Sequence, residues 1–339
     1  MHTGDRRPTL ADVAAEAGVS KALVSIVMRE APGASAATRR RVLDVAERLG
    51  YRPDSRARLL RSGRSRLLGV VFGVEHAFHG DLVTGLYEAA GKIKYELTLS
   101  AVTPHRDERT AIAGLLQDRC EALILLGPRS SVAELAALTT RMPVVALARR
   151  VRQRTVDVVR NDDSRGQHQA VDHLVSLGHR RIAHLDGGRT PGAAERRRGY
   201  QEAMRQHGLE AEIRIVPGGP TDEEGAAAAG ALLAAEEAVP TAITVFNDHA
   251  ATGVLDVIRR SGLAIPGDVS VVGYDDSRLA RLTHVDLTTI AQDTAAMTTL
   301  AAARAADRIE NTPVARREVV IPPRIVVRGT TGGPARSTA

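Results

Sequence analysis

Apolar residues along this chain follow two rhythms, and the change between them divides it. Up to about residue 50 the spacing is helical. Leu10, Val13, Ala14 and Ala17 fall at i, i+3, i+4 and i+7 and predict one short amphipathic helix. Thr9 stands at its capping position with Asp12 three residues on, and Gly18 supplies a left-handed stop. Ser20 opens a second helix, from Lys21 to about Arg29. Ser35 opens a third, with Val42, Val45, Ala46 and Leu49 as its stripe and Gly50 as its end. The tight turn between the first two helices gives the outline of a helix-turn-helix.

From Leu67 the pattern becomes short β-rich runs separated by longer helical stretches. The runs predict strands at Leu67–Phe72, Glu96–Ala101, Ala122–Leu126, Val144–Leu147, Arg181–Leu185, Ile213–Val216, Ala242–Phe246 and Val269–Gly273. Helical patterns fill the gaps: Asp81–Lys92, Glu108–Gln117, Val132–Thr140, Gln167–Leu177, Ala193–His207, Glu223–Glu237 and Ala250–Arg260. Such alternation forces parallel sheets with right-handed crossovers. With "RNDDSRG" at 160–166 as a divider, the strands form two doubly wound halves. A last helix, Thr294–Glu310, and a strand, Glu318–Ile321, come after the second half and cross back. The expected fold is therefore an N-terminal all-α helix-turn-helix domain followed by an α/β bilobed body, with a ligand cleft where strand carboxyl ends meet.

Charge sharpens the division. Of 46 Lys and Arg against 40 Asp and Glu, residues 1–66 hold 14 and 7, so all the excess positive charge lies in the first fifth of the chain. A basic block beside a near-neutral body points to a polyanion partner, and helices of this arrangement suit a DNA major groove. The single cysteine, Cys120, rules out a disulfide framework and a cysteine-based zinc site. No apolar run approaches membrane-spanning length and no leader-like apolar segment opens the chain, so a cytoplasmic location is expected. The eleven histidines show no metal-ligand spacing, and no phosphate loop, nucleophile elbow or dinucleotide fingerprint appears. The reading is a non-enzyme with no cofactor. His179 in "LGHRRI" reads as a loop residue at the start of a strand.

The segments "TLADVAAEAGVS", "TRRRVLDVAERLGYRP", "ARLLRSGRSRLLGVV", "HLVSLGHRRIAHL", "RRRGYQEAM", "NDHAATGVLDVIRRSGLAIPGDVSVVGYDD" and "LTTIAQD" occur in this order. Together they resemble the LacI/GalR (lac repressor-type) family of transcriptional regulators over about Pro8 to Arg328. The resemblance implies a periplasmic-binding-protein-like body and a homodimer. It also implies a pseudo-palindromic double-stranded operator, and a small effector, a sugar or sugar-like metabolite, whose binding switches DNA affinity. The domains would be 1–52 for DNA binding, 53–66 as hinge, and 67–329 as effector and dimerisation body. Within the body, lobe 1 would span about 67–160 plus 291–316 and lobe 2 about 161–290 plus 317–329, with 330–339 a disordered tail. The alternative is a transport-type solute-binding protein with no DNA function.

On the DNA side, Lys21, Ala22, Ser25, Ile26 and Arg29 are the residues expected at base edges, and Thr9, Ser20 and Tyr51 join the contact set. Many family members carry Arg where Ile26 stands. At a base edge Ile26 can only pack on a thymine methyl or leave the step unread, with Arg29 or Lys21 expected to read guanine instead; the other reading turns Ile26 into the small domain's core. After Pro53, residues 54–60 either form a hinge helix on DNA or remain a plain linker. In the first case Leu60 matches the family's minor-groove wedge, Ala57 the small residue before it, and Arg56 and Arg58 add phosphate contacts.

For the effector, Arg196 matches the family's ligand-clamping arginine, and Asn247 and Asp275 match polar residues that hold ligand hydroxyls. Phe78 and His79 match an aromatic pair at the cleft mouth, and Arg149 an arginine after the fourth strand. A polyol needs carboxylate, amide and guanidinium groups converging opposite an apolar ring. Asn247 and Asp248 could equally cap the following helix, and Asp275 or Asp276 the turn after "VVGY". The chain departs from the family at Ala148, where an Asp commonly precedes the arginine, and at Ala291, where Arg is common. With no Trp, three Phe and five Tyr, any stacking platform is Phe78, Tyr274 or another of these few rings.

Overall fold

A computed structural model describes residues 8–28, 31–51, 64–235 and 239–335. The chain divides into two units, residues 1–65 and 66–339.

In the first unit, α1 (Leu10–Ala17), α2 (Lys21–Met28) and α3 (Ala36–Arg48) enclose a core whose buried members are only Val and Ala. So small a core leaves helix ends to carry much of the stability, at about 1 kcal/mol for each good cap. The Asp12 carboxylate accepts from the Thr9 backbone N–H and hydroxyl, both at 2.7 Å. Gly18 takes φ 65° after α1, which costs a glycine nothing. Ser20 Oγ accepts from Leu23 N at 3.2 Å, and Ser35 Oγ accepts from Thr38 N at 3.2 Å. Beyond α2, the Arg39 guanidinium donates to the carbonyls of Val27 and Ala31 at 3.2 and 2.8 Å, satisfying acceptors that helical bonds cannot reach.

The second unit holds two six-stranded sheets. The first contains β1 (Leu67–Gly73), β2 (Glu96–Val102), β3 (Ala122–Leu126), β4 (Val144–Leu147), β5 (Asp157–Asn161) and β11 (Glu318–Ile321), in the spatial order 11-5-4-3-1-2. The second contains β6 (Ile182–Leu185), β7 (Arg214–Val216), β8 (Ala242–Val245), β9 (Ser270–Asp275), β10 (Thr288–Ala291) and β12 (Arg324–Val326), in the order 12-10-9-8-6-7. Every neighbouring pair is parallel except β10 with β12. Central strands such as β3, "ALILL", are buried along their whole length, as helices on both faces of a parallel sheet require.

Helices α4 (Ala77–Lys92), α5 (Glu108–Gln117) and α6 (Val132–Thr139) flank the first sheet. The second is flanked by α7 (Asp163–Ser176), α8 (Ala193–Gln206), α9 (Asp222–Ala234) and α10 (Asp248–Arg260). Helix α11 (Thr294–Ile309) returns to the first lobe, where Met297, Ala301 and Ala305 join Leu68, Leu82 and Ile124 in its core. The chain thus crosses between lobes three times, near residues 162, 292 and 322. No described helix is long and apolar enough to cross a membrane.

Three expectations need correction. The strand at 318–321 does cross back to the first lobe, so the bounds that gave 317–329 to the second lobe are wrong there: Glu318 pairs with Val158 and Ile321 with Asn161. Its partner β5 was not anticipated, because "DVVRN" offers only two apolar residues between polar ends. Residues 330–335 are not a disordered tail. Val271 N–H donates to Thr330 O at 2.8 Å, and the Thr330 hydroxyl donates to Val271 O at 2.7 Å while accepting from Thr288 N. Finally, α4 and α7 each begin four residues before the pattern implied, which moves Phe78, His79 and Asp163 onto helices. His179 is buried, with Nε2 2.8 Å from Gly332 O and Nδ1 2.9 Å from the Thr241 hydroxyl.

Candidate functional site

The carboxyl ends of the strands in both lobes face one cleft. Its inner part is a cavity of about 60 Å³, and both lobes line it. Phe78 and His79 come from the first turn of α4, Arg196 from α8, Asn247 from the end of β8, and Asp275 from the end of β9. Five of the six expected effector residues therefore meet. Arg149 does not: it lines an adjoining, open basin of about 580 Å³.

Arg196 is the hub. Its Nε donates to Asp163 Oδ1 at 3.0 Å and its Nη1 to the Phe246 carbonyl at 2.6 Å, while Nη2 lies 3.5 Å from Asp275 Oδ1. The guanidinium carbon sits 3.6 Å from the Tyr274 ring centroid and 4.7 Å from that of Phe246. A planar cation between two ring faces combines cation–π attraction with carboxylate pairing, which a lysine could not reproduce. Burial opposes the charge, but the carboxylates of Asp163 and Asp275 more than offset it and hold Arg196 protonated. Helix α8 reaches this place because Gly199, one turn on, lets it pack against α7: a Cβ there would overlap the Ser164 backbone.

The acids around Arg196 outnumber it. Burial pushes the Asp275 carboxyl up despite Arg196 and a 2.7 Å hydrogen bond from Gln292 Nε2. Burial raises Asp248 too, with the nearby Asp275 charge adding to it. Asp248 accepts from the Thr289 hydroxyl at 2.6 Å and from Ser277 N at 2.7 Å. Asp275 and Asp276 have φ 111° and 52°, uncommon for residues with a side chain. That backbone turns Asp275 toward Arg196, while Asp276 takes Arg281 and Arg328. Asp275 is thus a partner of Arg196 rather than a turn cap.

His79 is held neutral, its pKa lowered to about 3 by burial and by the neighbouring His76. Its Nδ1 accepts from Gly73 N at 3.0 Å, so Nε2 carries the ring proton as a donor. Asn247 does cap α10, with Oδ1 accepting from Ala250 N at 2.8 Å, while Nδ2 donates to Pro220 O at 3.1 Å. One amide hydrogen is left over. Two buried polar atoms on the cavity wall, Ser277 Oγ and His249 Nδ1, make no hydrogen bond of ordinary geometry among the described residues, with Ser277 Oγ lying beside the Asp248 carboxylate. Buried orphans in a cavity mark places where a ligand or water completes the set. Sequence reading singled out neither of these, nor Asp163, Phe246 and Gln292. Their one signal was position, just after or beside a strand's carboxyl end.

In the helix-turn-helix, Val24 and Val27 of α2 face the core while Lys21 and Ala22 are exposed. Ser25 and Ile26 are half-buried. Ile26 stands against Gly33, where a Cβ would meet its methyl carbons at 3.8 and 3.9 Å, and it is not a member of the buried core. Tyr51 packs on that core from its edge. Arg29, Arg56, Ala57, Arg58 and Leu60 lie outside the described residues.

Comparison with known proteins agrees with both halves. Residues 9–54 match the profile of bacterial regulatory proteins of the lacI family, and residues 171–331 that of the periplasmic binding protein-like domain. The HTH-type transcriptional regulator GalR of Escherichia coli K12 is 33% identical over 334 residues, covering 96% of each chain. Among solved structures, a LacI transcriptional regulator from a Rhodococcus species is 48% identical with a TM-score of 0.77, covering 80% of this chain and 100% of its own. The lac repressor dimer bound to operator and the anti-inducer ONPF is 29% identical with a TM-score of 0.80, covering 97% of this chain and 100% of its own. A capped helix-turn-helix, two crossing-linked α/β lobes and a polar cleft between them, matched end to end in sequence, make this chain a DNA-binding transcriptional regulator of the lacI family.

Proposed function

We propose that the protein acts in the cytoplasm as a homodimeric repressor of a pseudo-palindromic operator, and that a small polyol-like metabolite bound between its lobes changes its operator affinity. The observation that carries the effector half is the cavity itself. A fixed guanidinium, carboxyls held above their usual pKa range by burial, a donor on His79 and the buried Ser277 Oγ and His249 Nδ1 converge from both lobes. Such a donor and acceptor mixture suits hydroxyl groups. At about 60 Å³ the space is well below the roughly 300 Å³ of an ordinary ligand site, so a ligand enters with the lobes apart. The three crossings near 162, 292 and 322 are then the hinge.

On the DNA side, residues 1–52 read the operator with Lys21, Ala22, Ser25, Ile26 and Arg29, and residues 53–66 form the hinge that carries Leu60. Ligand binding alters the spacing of the two hinges of the dimer. Moving the population from 1:99 to 99:1 requires roughly a 10⁴-fold preference for one lobe arrangement.

Selection of binding sites from a random duplex pool tests the DNA half. A symmetric site with a central pyrimidine–purine step is expected, bound by wild type and at least about tenfold more weakly by Leu60→Ala, with nonspecific binding little changed. Recovery of no preferred sequence by the folded dimer, with and without candidate polyols, overturns it. For the effector half, Ser277→Val should abolish any ligand-induced change in operator affinity; an unchanged response would remove Ser277 and its cavity from the site.

A further inference from the structure

We infer that the effector of this regulator is anionic, a polyol bearing a carboxylate or phosphate group, and that Arg129, Arg149 and Arg189 hold its charge in the basin beside the inner cavity. The inference rests on the cleft being the effector site, and it names the chemical class of the occupant.

Three observations lead there. The first is a contrast among arginines. Around the cleft, Arg196, Arg197, Arg281 and Arg328 each have an aspartate partner: Asp163, Asp186, and Asp276 for the last two. Arg129, Arg149 and Arg189 have no carboxylate partner among the described residues, yet all three line one basin of about 580 Å³. Its one carboxylate among the described residues, Glu224, is exposed and is engaged in capping α9, where Oε2 accepts from the Thr221 backbone N–H and hydroxyl at 3.1 Å each. Glu108, at the start of α5, is likewise engaged: it accepts from the Arg129 and Ser130 backbone N–H groups at 2.7 and 3.1 Å and so fixes that loop.

The second is where the guanidinium groups come from. Arg129 follows β3 and Arg149 follows β4, both in the first lobe, while Arg189 follows β6 in the second. The connection from β4 to β5 carries four arginines, at 149, 150, 152 and 154, and no acid. Like charges borne by opposite lobes across an open cleft repel, and an anion between them reverses the sign. An anionic ligand would therefore draw the lobes together through the same groups that recognise it.

The third is continuity. Thr190 and Pro191 wall both the basin and the inner cavity. A ligand whose hydroxyls reach Ser277 and His249 has its outer end at the arginines. The glycines Gly187, Gly188 and Gly218 line the same basin, Gly188 exposed and Gly218 half-buried. Guanidinium groups with planar forked donors match both carboxylate and phosphate oxygens, so geometry alone selects the anion and not its kind.

The test uses the full-length protein and matched pairs: glucose against glucuronate and glucose 6-phosphate, galactose against galacturonate and galactose 1-phosphate, with inorganic phosphate alone as a further probe. Binding is read by thermal stabilisation and calorimetry, at low and high salt. The expected result is binding of an anionic member without its neutral partner, weakened by salt. Arg149→Gln or Arg189→Gln should weaken it about ten- to a hundredfold, and Arg149→Lys less. Which arm responds separates carboxylate from phosphate. A neutral sugar that binds as tightly as its anionic partner overturns the inference and leaves the cleft as effector site, as does undiminished anion binding by both glutamine variants. If no pair member and no phosphate stabilises the wild-type protein, the anionic assignment also fails, while the operator selection reports separately on the regulator.

Discussion

Arg196 lies over the ring of Tyr274, its guanidinium carbon 3.6 Å from the ring centroid, with both side chains buried. The pair ties α8 to the end of β9 at the base of the cleft. Because Asp163 and Asp275 share the same cation, the arginine is structural before it is functional.

Arg196→Met keeps the apolar stem and removes the charge, leaving two buried carboxylates unpaired. Stability should fall by about 3–5 kcal/mol, and Asp163→Asn in the same chain should restore part of it. Urea unfolding of the single and double variants checks this. Independent, additive losses would contradict the coupling.

Protonation acts in opposing directions. His79 and His184 have pKa values lowered from 6.5 to about 3 by burial. The unfolded chain takes up these protons first, so the stability they contribute is full above pH 6.5 and drains as pH falls toward 3. Asp248 and Asp275 are raised from 3.8, so their contribution is full below 3.8 and drains as pH rises through their folded values. Over the mildly acidic range these slopes offset each other. The stability of His184→Gln relative to wild type should therefore improve on acidification from neutral to about pH 5. That of Asp248→Asn should improve on going to mildly alkaline pH. Denaturation curves across pH check both signs.

Chain shortening after residue 329 removes Thr330, Thr331 and Gly332. It leaves the Val271 and Thr288 N–H groups without their acceptors and His179 without Gly332 O. A loss of about 2–4 kcal/mol is expected. Equal midpoints in urea for full and shortened chains would contradict the packing role of these residues.

Arg39→Ala exposes the carbonyls that close α2. The helix-turn-helix should lose about 1–2 kcal/mol, and operator affinity should drop with it, while the body keeps its melting temperature. Calorimetry alongside a gel-shift assay separates the two effects.

The large divisions of this fold are legible in the sequence because its long elements are strongly patterned. β3 and β4 are uninterrupted apolar runs, and α1 and α3 carry both stripe and cap. What escaped lies at the cleft. β5, β10 and β12 are short, each starts on a polar residue, and they present no pattern of their own. Helices α4 and α7 start early because their first turns place His79 and Asp163 toward the cleft instead of extending an apolar stripe. The membership of β11 is decided by a partner more than 150 positions away, through pairs such as Val319 with Val159, and no local signal encodes it. Of the site, the motif-borne Arg196 and Asp275 were readable. Ser277 and His249 become visible only when loops from separate strands meet.

The three lobe crossings also govern the order in which the molecule can be completed. The first lobe begins at Leu67, yet its core lacks Met297, Ala301 and Ala305 until α11 is made. Arg308 must then reach Asp157 on β5, which it grips at 2.6 and 2.9 Å, before β11 covers that strand's edge. A nascent chain emerging from the ribosome therefore carries an unfinished first lobe through the whole synthesis of the second. Both lobes close within the same final stretch, so a chain halted at residue 290 contains neither lobe in finished form.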